Sequence, residues 1–226
     1  MWRKSCGHNY EINSIEKAYT LGFLWGDGHI KHYKIKSGES NIHYPSLEIV
    51  TDDMKDIIDL FQVWGNWKLL YRNRPNRRQI SSICLFDKEF GWFLTENDYM
   101  IKSYKDPYKI LSLVPEIFKQ YWWRGFCDAD GCFYKNGRIV QFSVSGSYSQ
   151  EWSSIVSLFE HLDIRYQIQR IIHKTSKNSA IRTSNPKNVI VFGNYIYQDN
   201  FHIGLSRKYN KFNHIKTEFI SKGLPT

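Results

Sequence analysis

The feature that most constrains this chain is an internal repeat, because two copies of one segment in the same context call for two copies of one fold. Tyr19-Thr20-Leu21-Gly22-Phe23-Leu24-Trp25-Gly26-Asp27-Gly28 aligns with Trp122-Trp123-Arg124-Gly125-Phe126-Cys127-Asp128-Ala129-Asp130-Gly131 at an offset of 103 residues. Gly22 matches Gly125, Phe23 matches Phe126, and Asp27-Gly28 matches Asp130-Gly131. The same order of elements is expected after each copy. In the first half, residues 29–36 and 44–50 read as strands, and 52–64 as a helix with Met54, Ile57, Ile58 and Phe61 on one face. Residues 67–74 and 79–86 read as a second hairpin, with a helix near 88–94. In the second half, strands are expected at 131–134 and 138–145, a helix at 150–162, and strands near 164–173 and 189–192. Each half, 1–112 and 113–226, is therefore expected to be an αββαββα unit of the α+β class, an antiparallel sheet with helices on one face.

The 226 residues suffice for two small cores. The longest apolar stretches, such as residues 19–25, fall far short of the ~18 residues of a membrane span, and Met1-Trp2-Arg3-Lys4-Ser5 does not lead into a signal-peptide core. A soluble, intracellular protein, cytoplasmic or organellar and not secreted, is expected. Cys6, Cys84, Cys127 and Cys132 lack paired zinc-type spacing and are too sparse for a disulfide framework, so they read as reduced thiols. Cys6 and His8 have no second pair to complete a metal site.

Charge gives the first functional indication. The net charge is +9 with a pI near 9.3, beside 8 Trp, 15 Tyr and 14 Phe, a balance that suits nucleic acid. Residues 1–112 carry a net +2 and residues 113–226 a net +7. The second hairpin of each half is cationic: Lys68, Arg72, Arg74, Arg77 and Arg78 lie in one run without an acid, and Arg165, Arg170, Lys174, Lys177, Arg182 and Lys187 occupy the corresponding part of the other half. One such run is usually a solvated face; two at matching places favour a shared ligand.

Each motif copy is an apolar helical segment ending in Asp-Gly, with Gly28 and Gly131 suited to the left-handed residue beyond a helix end. An Asp at a helix C-terminus faces partial negative charge and is disfavoured by about a few tenths of a kcal/mol, a conflict that a cation would relieve. Gly22 and Gly26, and Gly125 and Ala129, are small residues four apart, which lets two helices approach closely. If the copies pack on each other, Asp27 and Asp130 meet. Two close carboxylates favour a hard ion such as Mg²⁺ and suit metal-assisted phosphodiester hydrolysis.

These segments resemble the LAGLIDADG motif of homing endonucleases, in the single-chain form that carries two motifs, and the resemblance covers almost the whole chain. The second copy, 123–131, matches well; the first, 20–28, has Trp25 where the first acidic residue stands but keeps the last Asp. The resemblance implies two pseudo-symmetric halves whose sheets form a DNA-binding saddle, with the motif helices at the interface. It implies a monomer that cuts both strands of a long double-stranded DNA target, using Mg²⁺, with Mn²⁺ able to substitute and Ca²⁺ supporting binding without efficient cleavage. Asp27 and Asp130 would be the metal ligands, with the backbone carbonyls of Gly26 and Ala129 assisting. It also implies a lysine near the metals in each half. Ser206-Arg207-Lys208-Tyr209 is similar to the family's Arg-Lys-Tyr segment, and Tyr99-Met100-Ile101-Lys102-Ser103 to its Lys-Ser segment, giving Lys208 and Lys102, with Lys105 as rival to the latter.

Sheet ribbons fit the major groove and present alternate side chains to base edges. The candidates are Lys31, Tyr33, Lys68, Arg72 and Arg74 in the first half and Gln141, Ser143, Ser145, Gln167 and Gln169 in the second. Arg77, Arg78, Lys174 and Lys177, near hairpin tips, are expected on phosphate. Two other functions fit the same scaffold: a maturase that binds intron RNA, and a DNA-binding regulator that has lost its chemistry. The presence of Asp27, Asp130, Lys102 and Lys208 together favours the nuclease.

Overall fold

The computed structural model describes residues 10–34, 41–72, 78–172, 176–198 and 203–221. Helix α1 (Ile15–Asp27) starts where the Ser14 hydroxyl accepts the Lys17 N–H, so a side chain satisfies one of the free amides of the first turn. It runs directly into β1 (Gly28–Lys34) and β2 (Asn41–Val50), followed by α2 (Thr51–Phe61), a short 3₁₀ turn at 62–64, β3 (Lys68–Arg72), β4 (Ile80–Cys84) and α3 (Lys88–Glu96). A linking helix α4 (Tyr108–Leu111) leads into α5 (Glu116–Asp130). The order then recurs: β5 (Gly131–Asn136), β6 (Ile139–Ser147), α6 (Ser153–His161), β7 (Gln167–Ile172), β8 (Lys177–Thr183), α7 (Pro186–Ile196), with a final α8 (Ser206–Ser221). The two sheets have the same antiparallel order, β1-β2-β4-β3 and β5-β6-β8-β7. No helix of the described residues is long and apolar enough to cross a membrane.

One expectation fails: residues 189–192 are not a strand but the middle of α7, and the fourth strand of the second half lies earlier, at Lys177–Thr183. The β-branched run Val189-Ile190-Val191 reads as strand, yet Pro186 with the Asn185 side chain accepting the Lys187 N–H nucleates a helix just before it. Its less buried face, Lys187, Val191, Asn194 and Tyr195, mixes apolar with polar side chains, so the helical period is weak in the sequence.

The centre of the molecule is the α1–α5 pair. A methyl group added at Gly22 would lie 1.9 Å from the Trp122 carbonyl oxygen, and one at Gly125 would lie 1.9 Å from that of Tyr19, so the helices touch backbone to backbone. Gly26 and Ala129 face each other one turn later. Around this seam, Trp122 stacks on Phe126 and meets Trp25 at a tilt, and Phe23 and Phe61 form an edge contact, joining the motif helices to the core.

The second correction concerns Gly28 and Gly131. Both have extended backbone, φ −70° and −74°, not the left-handed conformation expected beyond a helix end. Glycine is required there for space: an added Cβ would sit 2.5 Å from the Leu24 carbonyl oxygen in one half and 2.6 Å from that of Cys127 in the other. Helix therefore turns into strand without a loop, which fixes each motif aspartate at the root of its sheet.

Candidate active site and nucleic-acid interface

Asp27 and Asp130 end α1 and α5. Because the helices cross at the small residues before them, the two carboxylates share one end of the pair; a Cβ at Gly26 would be 3.2 Å from Asp130 Oδ2. The arrangement is electrostatically costly in two ways. Neither helix has a basic residue in its last turn, and the carboxylates repel each other. Although the Asp130 side chain still reaches solvent, the surrounding protein and then the Asp27 charge push its pKa up to about 6, against the pull of Lys102 and Lys208. Burial also raises Asp27, opposed by Lys102, Lys208, His29 and Arg207.

Both expected lysines reach this place. Lys102 Nζ donates to the Trp25 carbonyl at 2.7 Å and to that of Gly26, placing a cation at the negative end of α1. Its own burial brings its pKa down to about 8, despite the two aspartates that favour its charge. Lys208 Nζ donates to the Gly131 carbonyl, just past α5, and burial followed by the Arg207 charge lowers its pKa. Lys105, the rival in the first half, instead faces Glu151 at 3.5 Å on the surface. A cleft of about 230 Å³ opens beside Lys102 and Asp130, closed on its other sides by Ser145, Gln150 and Trp152.

The donor set fits a hard divalent ion of the Mg²⁺ class. It offers two crowded carboxylates and nearby carbonyls, including that of Gly26. Among the described residues no group of three or more His, Cys, Asp or Glu forms a closed protein cage. Such an ion commonly takes one or two carboxylates and fills its remaining positions with water and substrate phosphate.

Register assigns the sheet faces. In the first sheet Leu47, Ile83 and Leu69 lie in one cross-strand row toward the helices, and His29, Ser46, Cys84 and Lys68 form a row on the opposite face, with His29 and Lys68 exposed and Ser46 and Cys84 buried. Lys31 and Lys68 share that face, and the positions of Tyr33 and Arg72 fall on it too. In the second sheet Gln167, Arg182, Ser143 and Cys132 form one open-face row, and Gln169, Ala180 and Ser145 the next, with Gln141 opposite Tyr134. All five residues proposed for the second ribbon thus lie on one face. Lys177 and Arg78 are exposed at strand starts, Lys177 in register with the helix-side row. Arg74, Arg77 and Lys174 lie outside the described residues. Sequence reasoning counted Arg182 only in the cationic run. Its central place in the open face follows from the true position of β8.

No protein-family model matches the sequence, and no curated protein matches it either. Solved structures do. The chain is similar to I-SmaMI bound to an uncleaved DNA target in the presence of calcium ions, with 13% identity and a TM-score of 0.60 over 91% of this chain and 92% of that one. Similar values hold for I-LtrWI, a LAGLIDADG homing endonuclease bound to target DNA (13%, 0.57, 92% and 91%), and for the LAGLIDADG meganuclease I-AabMI bound to uncleaved DNA (12%, 0.58, 90% and 91%). With both motif helices at the seam and a four-stranded antiparallel sheet following each, the chain has the fold of the single-chain LAGLIDADG homing endonucleases.

Proposed function

We propose that this protein is a site-specific endonuclease that hydrolyses one phosphodiester bond in each strand of a long double-stranded DNA target. The observation that carries the reading is the junction of Asp27 and Asp130, each with a half-buried lysine beside it, at the root of two antiparallel sheets. Asp27 and Asp130 hold the metal, with the Gly26 and Ala129 carbonyls as further oxygen donors. Mg²⁺, or Mn²⁺ in its place, would polarise phosphate oxygen and lower the pKa of a bound water. Lys102 and Lys208 keep a proton at Nζ beside the reacting phosphates. With its pKa near about 8, Lys102 gives up that proton more readily than a free lysine does.

The open faces of the sheets bind DNA. Lys31, Tyr33, Lys68, Arg72 and Arg74 serve one half-site and Gln141, Ser143, Ser145, Gln167 and Gln169 the other, while Arg77, Arg78, Lys174 and Lys177 hold phosphate. One chain carries both halves, so a single copy occupies one duplex. The deciding experiment is selection of cleaved sites from a randomised DNA library with Mg²⁺. Recovery of one long motif, cut in Mg²⁺ or Mn²⁺ and bound but not cut in Ca²⁺, supports the reading. Binding with no cleavage in any ion would favour a regulator, and preference for structured intron RNA a maturase.

A further inference from the structure

The segments that carry Lys102 and Lys208 are held by the opposite halves as well as by their own. Lys208 follows Arg207, whose guanidinium forms a two-point ion pair with Asp53 of α2, at 2.6 Å from Nε and 2.7 Å from Nη2. Asp53 is buried although the arginine is half exposed, so the pair is anchored from the first half. One turn along α2, Asp56 accepts the backbone N–H of Ser206 at 2.9 Å and also its hydroxyl, satisfying free donors at the start of α8. Tyr19 of α1 donates to Asp128 Oδ2 at 3.0 Å, and the same oxygen accepts the Leu205 N–H at 2.9 Å. Two side chains of the first half, Asp53 and Asp56, thus bind residues 206–207 directly, and Tyr19 reaches Leu205 only through Asp128 of the second half.

The reverse relation holds at Lys102. The Gln150 amide, from the turn before α6, donates to the carbonyls of Lys102 at 3.3 Å and Lys105 at 2.7 Å. Ser147 donates to the Ser103 carbonyl, and Glu151 accepts the Asp106 N–H at 3.2 Å. Asp106 in turn accepts the Ser154 N–H at 2.6 Å, capping the first turn of α6. The seats occupy like places in the repeat, the start of the helix that follows the first hairpin of each half. Their chemistry differs: carboxylates on a guanidinium and an amide donor at Lys208; chiefly an amide and a hydroxyl on carbonyls at Lys102, with the Glu151 carboxylate on one backbone N–H.

We infer that Asp53 and Asp56 of the first half are positioning residues for Lys208, and Gln150 and Glu151 of the second half are positioning residues for Lys102, so that each strand-cutting centre is completed by the opposite half. The inference rests on the endonuclease reading for its strand assignment, not for the seats themselves. A two-point charge-assisted pair fixes direction as well as distance, and a shift of about 1 Å in a reacting group costs on the order of 10²-fold in rate.

The test uses the full chain and a target recovered from the library, each strand labelled at its 5′ end. Asp53→Asn should slow one strand about 10- to 100-fold, leave the other near wild type and accumulate nicked duplex. Gln150→Ala should slow the opposite strand. Asp56→Ala and Glu151→Ala, at exposed positions that tolerate truncation, should repeat the two biases more weakly. Equal slowing of both strands, or the same strand slowed by both sets, would overturn the inference.

A second readout needs no cleavage. In the metal-free protein without DNA, Asp53→Asn should speed amide exchange at residues 205–208 and leave 102–106 unchanged, with Gln150→Ala doing the reverse. If wild type cuts no DNA, the endonuclease reading fails and exchange still decides the seats. If wild type cuts but exchange rises everywhere or nowhere, the seats fail alone.

Discussion

The two motif helices end in the same Asp-Gly and diverge two residues earlier, where Trp25 stands opposite Asp128. Trp25 packs edge-on against Tyr99 with ring centroids 5.0 Å apart, and the Tyr99 hydroxyl donates to the Leu21 carbonyl at 2.9 Å. The first half thus steadies the start of its lysine segment by apolar contact. Asp128 is fully buried and accepts the Tyr197 hydroxyl at 2.6 Å, the Tyr19 hydroxyl at 3.0 Å and the Leu205 N–H at 2.9 Å, with Arg124 also fully buried nearby. The second half does the same task with a carboxylate. Burial raises the Asp128 pKa and lifts both tyrosines well above their usual range, which keeps the hydroxyls protonated as donors. One position in a repeat therefore admits two chemistries so long as the next segment is held, whereas the terminal aspartate is the same in both.

That contrast predicts where the halves must behave alike and where they must not. The largest effect should be the shared one: Asp27→Asn and Asp130→Asn each keep the shape and remove the charge that, on the proposed function, would hold the ion, so each should abolish double-strand cleavage while DNA binding persists. Plasmid linearisation and gel shift measure the two properties, and full activity in either variant would sink the paired-carboxylate site. Exchanging the supports should then separate the halves. Trp25→Asp places a carboxylate among the rings of Tyr99 and Trp122, and Asp128→Leu strips the acceptor from three buried donors beside Arg124. Each should cost about 3–5 kcal/mol in denaturant unfolding, as loss of one partner of a buried charge pair does. A nearly neutral Trp25→Asp would mean that the first half holds latent donors.

The two sheets offer a smaller test. Arg182→Ala, at the centre of the second open face, should lose about 1–3 kcal/mol and relax preference at one base pair. Lys68→Ala, at the edge of the first, should weaken all sequences alike and lower the salt slope by about 1. Competition binding on single-base variants distinguishes the two outcomes.

Much of this architecture is legible because a repeat checks itself. The αββαββα order, the helix seam at Gly22 and Gly125, and the meeting of Asp27, Asp130, Lys102 and Lys208 at one end of that seam all rest on matched pairs. Residues 189–192 read as strand, but Val-Ile-Val is also at home in a buried helix, and the strand Lys177–Thr183 opens with Lys177, Asn178, Ser179 and Ala180, which give little strand signal. The seats at Asp53 and Gln150 were not legible at all. They join residues 154 and 48 positions apart in sequence, and Asp53, beside Asp52 in a helix's first turn, reads only as a favourable charge there.

The smallest effect concerns the metal-free protein and sharpens the comparison at the carboxylates themselves. Asp130 has its folded pKa raised from 3.8 to about 6, by burial first and the Asp27 charge second. A carboxyl so raised favours the fold when protonated. Its contribution is fully present below about pH 3.8 and is lost as pH rises through about 6. Above that window the ionised side chain disfavours the metal-free fold, and Asp130→Asn removes the charge. In EDTA the variant should therefore melt above wild type at about pH 7.5, with the gap closing toward about pH 4.5 as the wild-type carboxyl takes up its proton. Asp27 is attended by Arg207 in addition to Lys102 and Lys208, the two cations that oppose the rise at Asp130, so Asp27→Asn should gain less. Saturating Mg²⁺ should stabilise wild type and neither variant, because an ion that binds only the folded state adds to its stability. Thermal unfolding of the three proteins at both pH values, with EDTA and with Mg²⁺, measures all of this. Asn variants that melt below wild type in EDTA at neutral pH would show that the lysines already over-compensate the carboxylates, and that the repulsion between the two halves is not what the metal relieves.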